Sequence, residues 1–260
     1  MKIGFIGCGN MGAALIDAAM KCSCAELIVA DKDEERLYKI KEKYGAKTGS
    51  NKDVAAEADV VFLAVKPNVV RSVAEELKDA LKPGGLVVSM AAGVQLKVLD
   101  EILGERSIIR IMPNTPVAVG EGMITFARNS GVSDENVKLF TEILAYAGRL
   151  DEVPESVIDA ATAVAGCGPA FVYMFAEALA DAGVFCGLTR EKAITYAAQT
   201  IKGAASMMLK TDKHPAKLRD EVCSPGGSTI VGVHALEDGG FRAAVEGAVI
   251  KAYKKTKELG

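Results

Sequence analysis

Ile3-Gly4-Phe5-Ile6-Gly7-Cys8-Gly9-Asn10-Met11-Gly12 sets the spacing G-x-G-x-x-G directly after a strand-like apolar run and at the opening of the helical pattern Met11–Lys21. Gly7 permits a tight turn, Gly9 lets a pyrophosphate approach the backbone, and Gly12 lets helix and strand pack closely. The helix N-terminus adds free N–H donors and the positive end of a dipole. Three glycines at this spacing are also compatible with an ordinary loop; the strand before them and the helix after them favour a dinucleotide site.

Outward from this turn, β-branched runs alternate with helical patterns to about residue 150. Lys2–Ile6 is followed by Met11–Lys21, Glu26–Asp31 by Glu34–Tyr44, Asp59–Val65 by Val69–Leu81, and Leu86–Met90 by Leu96–Leu103; Ser107–Met112 closes the series. The alternation implies right-handed crossovers and an α/β domain with a parallel sheet covered on both faces, a Rossmann-type nucleotide-binding domain over residues 1–153. Val60 to Val65 is apolar throughout, as a central strand buried from both sides requires. Met123–Ala127 and Arg149–Val153 add edge strands around a helix over Asp134–Tyr146.

From Pro154 only helical patterns remain: Glu155–Val164, Ala170–Phe185, Arg190–Lys210, Pro215–Val222, Thr229–Glu237 and Phe241–Leu259. Residues 154–260 therefore read as an all-α domain. The helix from Ala170 carries only Glu177 and Asp181 as charges before Gly183. A helix apolar nearly all round must be enclosed, and so short a helical domain cannot enclose it alone, which implies a helix-mediated dimer.

The 260 residues are 25% charged, 50% hydrophobic and 5% aromatic, which excludes disordered and fibrous classes. With 31 basic and 34 acidic residues and no basic stretch interleaved with aromatics, a nucleic-acid partner is not expected. Cysteines 8, 22, 24, 167, 186 and 223 form no C-x-x-C pair, which favours a reducing compartment; with only His214 and His234 besides, no metal site is expected. The N-terminus lacks a secretory signal. The most apolar window, Ala160–Ala176, is shorter than the ~20 residues that span a bilayer and is broken at Gly166-Cys167-Gly168-Pro169. It reads as a buried helix of a soluble, cytoplasmic protein without a membrane partner.

Asp31 lies 19 residues beyond Gly12 at the end of the second strand, where an acidic side chain accepts from a ribose 2′-hydroxyl and repels a 2′-phosphate. Lys32 and Arg36 could neutralise a phosphate if Asp31 turned away, and Asp31 could instead cap the helix beginning near Asp33, so NADPH and NADH both stay open. In Ser224-Pro225-Gly226-Gly227-Ser228-Thr229, small residues enter a helix, and successive N–H groups there can gather into a concavity suited to a carboxylate. The alternative is a sharp helix–helix connection capped by Ser228 or Thr229.

Two further segments are Arg110-Ile111-Met112-Pro113-Asn114-Thr115-Pro116 and Gly166-Cys167-Gly168-Pro169-Ala170. With Leu63-Ala64-Val65-Lys66-Pro67, Ala91-Ala92-Gly93-Val94 and the stretch Val222 to Glu237, the chain closely resembles the pyrroline-5-carboxylate reductase family across both domains in order. Cys167 departs from the family, many of whose members carry Ser there; a thiol donates hydrogen bonds less well. The resemblance implies reduction of the ring C=N bond of 1-pyrroline-5-carboxylate by NADPH or NADH to L-proline, the last step of proline biosynthesis. It implies that Gly7, Gly9, Asn10, Met11 and Gly12 hold the pyrophosphate, that Asn51 reaches the adenosine half, and that Ala64, Val65, Lys66 and Pro67 line the cofactor cleft. Met90, Ala91, Ala92 and Gly93, with Met112, Pro113 and Asn114, would frame the nicotinamide. The substrate loop, here Ser224, Pro225, Gly226, Gly227, Ser228 and Thr229, is completed in the family across an interlocked helical homodimer, which can enter a larger homo-oligomer.

A cyclic imine can take its proton from solvent, so the scarcity of His is no objection. Thr229 can hydrogen-bond the ring nitrogen; a hydroxyl is a poor acid at neutral pH, and its expected role is orientation with proton relay. His234 reads as a hydrogen-bonded packing residue, His214 as a loop residue, and Cys8 as a packing residue of the turn. Lys66, before a proline at a strand end, faces the cofactor crevice or is a solvated strand-end charge. A β-hydroxyacid dehydrogenase would need a catalytic Lys on the first helix of the second domain, and none occurs before Lys192. A non-catalytic NAD(P)-binding redox sensor would leave the Ser224–Thr229 loop without a purpose.

Overall fold

The structure, a computed structural model, describes residues 1–22 and 25–259; the side chains of Cys22 and Leu259 and all of Cys24 lie outside the description. The chain divides into two compact units, Met1–Cys167 with Ala252–Gly260, and Gly168–Lys251.

The first unit runs β1 (Lys2–Ile6), α1 (Asn10–Cys22), β2 (Glu26–Ala30), α2 (Glu34–Tyr44), β3 (Lys47–Thr48), α3 (Asn51–Glu57), β4 (Val60–Leu63), α4 (Pro67–Leu77), β5 (Leu86–Ser89), α5 (Leu96–Leu103), β6 (Ser107–Met112), a 3-10 turn (Thr115–Val119), β7 (Gly122–Arg128), α6 (Asp134–Ile143) and β8 (Gly148–Glu152). The eight strands pair in the order β3-β2-β1-β4-β5-β6-β7-β8, whose first six reproduce the dinucleotide-binding order 3-2-1-4-5-6. The sheet is covered on both faces. Ile3, Phe5, Val60 and Phe62 pack under Leu15, Ile16, Ile40, Phe140 and Ile143, from α1, α2 and α6. Ile28, Val61, Leu63 and Val87 pack under Val54, Val70, Ala74 and Leu99, from α3, α4 and α5.

Three details differ from the sequence reading. The sheet is not wholly parallel: β7 runs antiparallel to β6, and β8 parallel to β7. Residues 113–121 between β6 and β7 are too few for a crossover helix of ~10–12 residues, so the chain returns antiparallel. The reading gave no elements between Tyr44 and Asp59, where β3 and α3 lie; α3 opens with a capping box in which Ser50 and Asp53 satisfy each other's backbone N–H groups. Finally, the expected helix Glu155–Val164 is a 3-10 turn (Glu155–Val157), one α-turn, α7 (Ile158–Ala161), and a π-helix (Thr162–Gly166) closed by the Cys167 N–H on the Thr162 carbonyl at 2.9 Å.

The second unit holds α8 (Gly168–Phe185), α9 (Arg190–Thr211), α10 (Pro215–Val222), α11 (Ser228–Asp238) and most of α12 (Phe241–Leu259). Its own core is small: Ala180, Ala193 and Ala197 are its buried residues, with Val184 against them. Tyr173, Met174, Phe185, Leu209 and Val231 are exposed, Phe185 at 94%. The expectation of a buried helix over Ala160–Ala176 therefore fails within one chain, where only Ala180 of α8 is buried. The helical run Glu155–Phe185, 31 residues, is by length and composition long and apolar enough to cross a membrane.

Candidate active site

The glycine turn sits at the C-terminal end of β1. The Gly7 N–H bonds the Ala30 carbonyl at 2.8 Å, which ties the turn to the end of β2. Gly7 has φ +98°, and a Cβ there would strike the Ala64 carbonyl oxygen, just as a Cβ on Gly12 would strike the Gly7 carbonyl oxygen. The fold itself demands both glycines. Gly9 is different: a Cβ there would meet only the Arg36 Nη1, at 3.6 Å, an ordinary contact. The chain's own packing leaves this space open, and the N–H groups of Asn10, Met11 and Gly12 beside it have no acceptor among the described residues.

That space continues into a groove of about 320 Å³ lined by Ile6, Gly7, Gly9, Ala30, Asp31, Lys32, Arg36, Asn51, Ala64, Val65, Lys66, Val69 and Val73. Of the residues expected to hold a cofactor, it gathers Gly7, Gly9, Asp31, Asn51, Ala64, Val65 and Lys66. Ile6, Ala30, Val69 and Val73 were missed; their signal was position, at the ends of β1 and β2 and on the inner face of α4. Pro67, Ala92 and Gly93 line a neighbouring groove of about 390 Å³ with Asn68, Val70, Arg71, Val94 and Val98. Met90 packs partly buried and Ala91 fully buried at the end of β5, and Met112 closes β6.

Asp31 does not cap α2. Asp33 does, accepting the Glu35 and Arg36 N–H groups at 3.1 and 3.2 Å. The Asp31 carboxylate instead accepts the Cys8 N–H within the glycine turn and, at 2.9 Å, the Asp33 N–H. Beside it the Cys8 thiol is pushed up to about 12 by burial, and further by the Asp31 charge, against an opposing pull from Arg36. Lys66 is the residue before the first turn of α4, exposed, with no ion-pair partner among the described residues. Asn51 Nδ2 donates to Glu76 Oε2 at 3.0 Å.

Asn114, 8% exposed, has both ends of its amide engaged. Its Oδ1 accepts the Met123 N–H and its Nδ2 donates to the Ala165 carbonyl, each at 2.9 Å. Arg110, buried in β6, reaches the same strut through Glu155 Oε1 at 2.9 Å and Asp159 Oδ1 at 3.4 Å, while its Nε has no partner among the described residues. Glu155 Oε1 also accepts the Leu96 N–H at 2.7 Å, taking the place of a side-chain cap at the start of α5. Nothing in the sequence marked these links; apart from Asn114 and Met123, 9 positions apart, the partners lie 45 to 59 positions apart.

In the second unit, Ser224-Pro225-Gly226-Gly227 forms a turn with the Gly227 N–H on the Ser224 carbonyl at 3.1 Å and Gly226 at φ +69°, the position for which a type II turn needs glycine. Gly227 is the N-cap of α11, and neither Ser228 nor Thr229 caps it; both lie in its first turn. The N–H groups of Ser228, Thr229 and Ile230 have no acceptor among the described residues, nor has the Thr229 hydroxyl a partner. His234 is not a packing residue: it is exposed and paired with Asp238 at 2.9 Å. His214 is the N-cap of α10, its Nδ1 accepting the Ala216 N–H at 3.2 Å.

Residues 155–259 match the family model described as pyrroline-5-carboxylate reductase dimerisation, and residues 2–93 that of NADP oxidoreductase, coenzyme F420-dependent. The pyrroline-5-carboxylate reductase of Arabidopsis thaliana is 40% identical over 99% of this chain and 95% of its own length. The chain belongs to the pyrroline-5-carboxylate reductase family. It is an NAD(P)H-dependent oxidoreductase with the activity of that family, and its cofactor is NADPH or NADH. Among solved structures, the pyrroline-5-carboxylate reductase of Coxiella burnetii matches with TM-score 0.92 at 36% identity, covering 99% of this chain and 98% of the other. The Plasmodium falciparum pyrroline carboxylate reductase, solved with NADP bound, matches with TM-score 0.89 at 36% identity, covering 100% and 98%.

Proposed function

We propose that the chain reduces the ring C=N bond of 1-pyrroline-5-carboxylate to give L-proline, the last step of proline biosynthesis, with NADPH or NADH on the glycine turn. The observation that carries this reading is the open space over Gly9, beside N–H groups of α1 that have no acceptor among the described residues, which fits a pyrophosphate. The nicotinamide, when bound, supplies a hydride to the imine carbon.

The chain's residues bind and orient. Gly7, Gly9, Asn10, Met11 and Gly12 hold the pyrophosphate, Gly7 and Gly9 by leaving room for it and Asn10, Met11 and Gly12 through main-chain N–H groups that have no acceptor among the described residues, with Asp31 and Asn51 at the adenosine end. Ala64, Val65, Lys66 and Pro67 line the cofactor cleft, and Met90 to Gly93 with Met112 to Asn114 frame the nicotinamide. Asn114 contributes there from a side chain held at both ends, its Oδ1 by the Met123 N–H and its Nδ2 by the Ala165 carbonyl. The Ser224–Thr229 loop holds the substrate carboxylate through the N–H groups of Ser228 and Thr229, which have no acceptor among the described residues, and the Thr229 hydroxyl orients the ring nitrogen while solvent supplies the proton.

Residues 1–153 form the dinucleotide domain in this reading, and residues 154–260 the dimerisation and substrate domain. The exposed apolar side chains of α8 and α9 are covered by a second copy in a homodimer, which can enter a larger homo-oligomer, in the cytoplasm. A lipid-facing role for the run Glu155–Phe185 is disfavoured by its 3-10 and π segments and by Glu177, Asp181 and Arg190 in the groove between α8 and α9. Loss of nicotinamide absorbance on adding pyrroline-5-carboxylate tests the reading. Dinucleotide binding without turnover would point instead to a redox sensor.

A further inference from the structure

We propose that the adenosine end of the groove is built for a free ribose 2′-hydroxyl, so that the enzyme prefers NADH, with Asp31 deciding the choice and Asp33 keeping Arg36 from reversing it. The inference rests on the cofactor reading above and deepens it.

Asp31 lines the groove, and its carboxylate is fixed by two main-chain donors from different segments, Cys8 N–H in the glycine turn and Asp33 N–H ahead of α2. It cannot swing out without leaving both donors unpaired. Two hydrogen bonds leave lone pairs on the carboxylate, and a 2′-hydroxyl can donate to them. A 2′-phosphate ester brings mainly negative charge and acceptor oxygens to the same place, where a fixed carboxylate repels it.

Admitting the phosphate would require cations free to meet it. Lys32 and Arg36 line the groove, but the stretch Asp31-Lys32-Asp33-Glu34-Glu35-Arg36 sets four carboxylates against these two. Arg36 Nε is paired with Asp33 Oδ2 at 3.1 Å, and its Nη1 is laid toward Gly9, the pyrophosphate end of the groove. Asp33 thus does two things: one oxygen caps α2 and the other holds the guanidinium.

The test is calorimetric titration of the intact oligomer with NADH and NADPH, run beside kcat/KM for each. Wild-type protein should bind NADH at least about tenfold more tightly, a single hydrogen bond or charge contact being worth about one decade. Asp31→Ser should close or invert that ratio, losing NADH affinity and gaining NADPH affinity. Asp31→Asn, isosteric and still able to accept the Cys8 N–H, should move it the same way if the serine variant fails to fold. Asp33→Ser keeps a capping oxygen and frees Arg36, so NADPH should bind about threefold more tightly with NADH unchanged, the scale of one exposed ion pair. Equal or tighter NADPH binding by the wild type overturns the inference and leaves the reductase reading standing, as does an unmoved ratio in Asp31→Asn. Binding of neither dinucleotide overturns both.

Discussion

The amide of Asn114 joins β7 to the π-helix before Cys167, accepting from the Met123 N–H and donating to the Ala165 carbonyl at 2.9 Å each. Asn114→Ala leaves a buried N–H and a carbonyl unpaired, and should cost about 2–4 kcal/mol at ~1–2 per orphaned group. Asn114→Asp keeps the acceptor for Met123 but turns a carboxylate oxygen toward the Ala165 carbonyl, so it should also destabilise. Urea denaturation at fixed protein concentration checks this. A loss below about 0.5 kcal/mol in the alanine variant would mean that the strut is not held by this side chain.

What the sequence made legible depended on the range of the interaction that decides each feature. The β1–α1 turn was readable because Gly7, Gly9 and Gly12 fall within six positions and Gly12 packs directly against the Gly7 carbonyl. Helix α3 could have been found from Ser50 and Asp53, three apart, but its seven residues carry too short an apolar pattern to register by period. The antiparallel entry of β7 was implicit in the short link after Met112. The Arg110–Glu155 pair and the Asn114–Ala165 bond were not legible at all, since tertiary approach alone brings them together. The π-helix was hidden for a related reason: its apolar residues satisfy a helical period whichever way the carbonyls pair. Asp31 lines the groove at the end of β2, the position its spacing from Gly12 points to, while its partner Cys8 emerged only from the structure.

Cys8 should be chemically silent despite its place in the glycine turn. Burial, then the Asp31 charge, disfavours the thiolate and pushes the thiol up to about 12, so the neutral form persists through the working pH range. Peptide mapping after iodoacetamide treatment at pH 8 should find Cys8 unlabelled in native protein and labelled after denaturation. Rapid native labelling at Cys8 would contradict the burial.

Gly9→Ala separates the fold's need for glycine from the cofactor's. The added methyl meets only Arg36 Nη1, at 3.6 Å, so thermal stability should be nearly that of the wild type. The same methyl stands where the pyrophosphate must approach, and should weaken both dinucleotides by roughly 1 to 3 kcal/mol. Gly12→Ala, by contrast, should destabilise the unliganded protein, because its Cβ strikes the Gly7 carbonyl. Unchanged cofactor titration in Gly9→Ala would remove the turn from the site.

Thr229→Val tests the substrate end with a nearly isosteric side chain that lacks only the hydroxyl. Thr229 lies in the first turn of α11 and is not its cap, Gly227 holding that position, so no helix-capping bond is lost and the helix should form unchanged. The hydroxyl has no partner among the described residues, which leaves it free to orient a ligand nitrogen. Losing one orienting hydrogen bond whose partner is then left unpaired in a closed site is worth roughly 1 to 3 kcal/mol, so kcat should fall by about one to two orders of magnitude. Cofactor affinity should stay within about twofold, since the dinucleotide is held on the glycine turn. Substrate KM should rise only modestly, because the carboxylate is held by main-chain N–H groups that the substitution does not touch. Steady-state kinetics with the imine varied, alongside inhibition by proline analogues, decides the matter. Wild-type kcat in the valine variant would remove Thr229 from the reaction, and complete loss of inhibitor binding would mean that the substitution had deformed the Ser224–Thr229 loop.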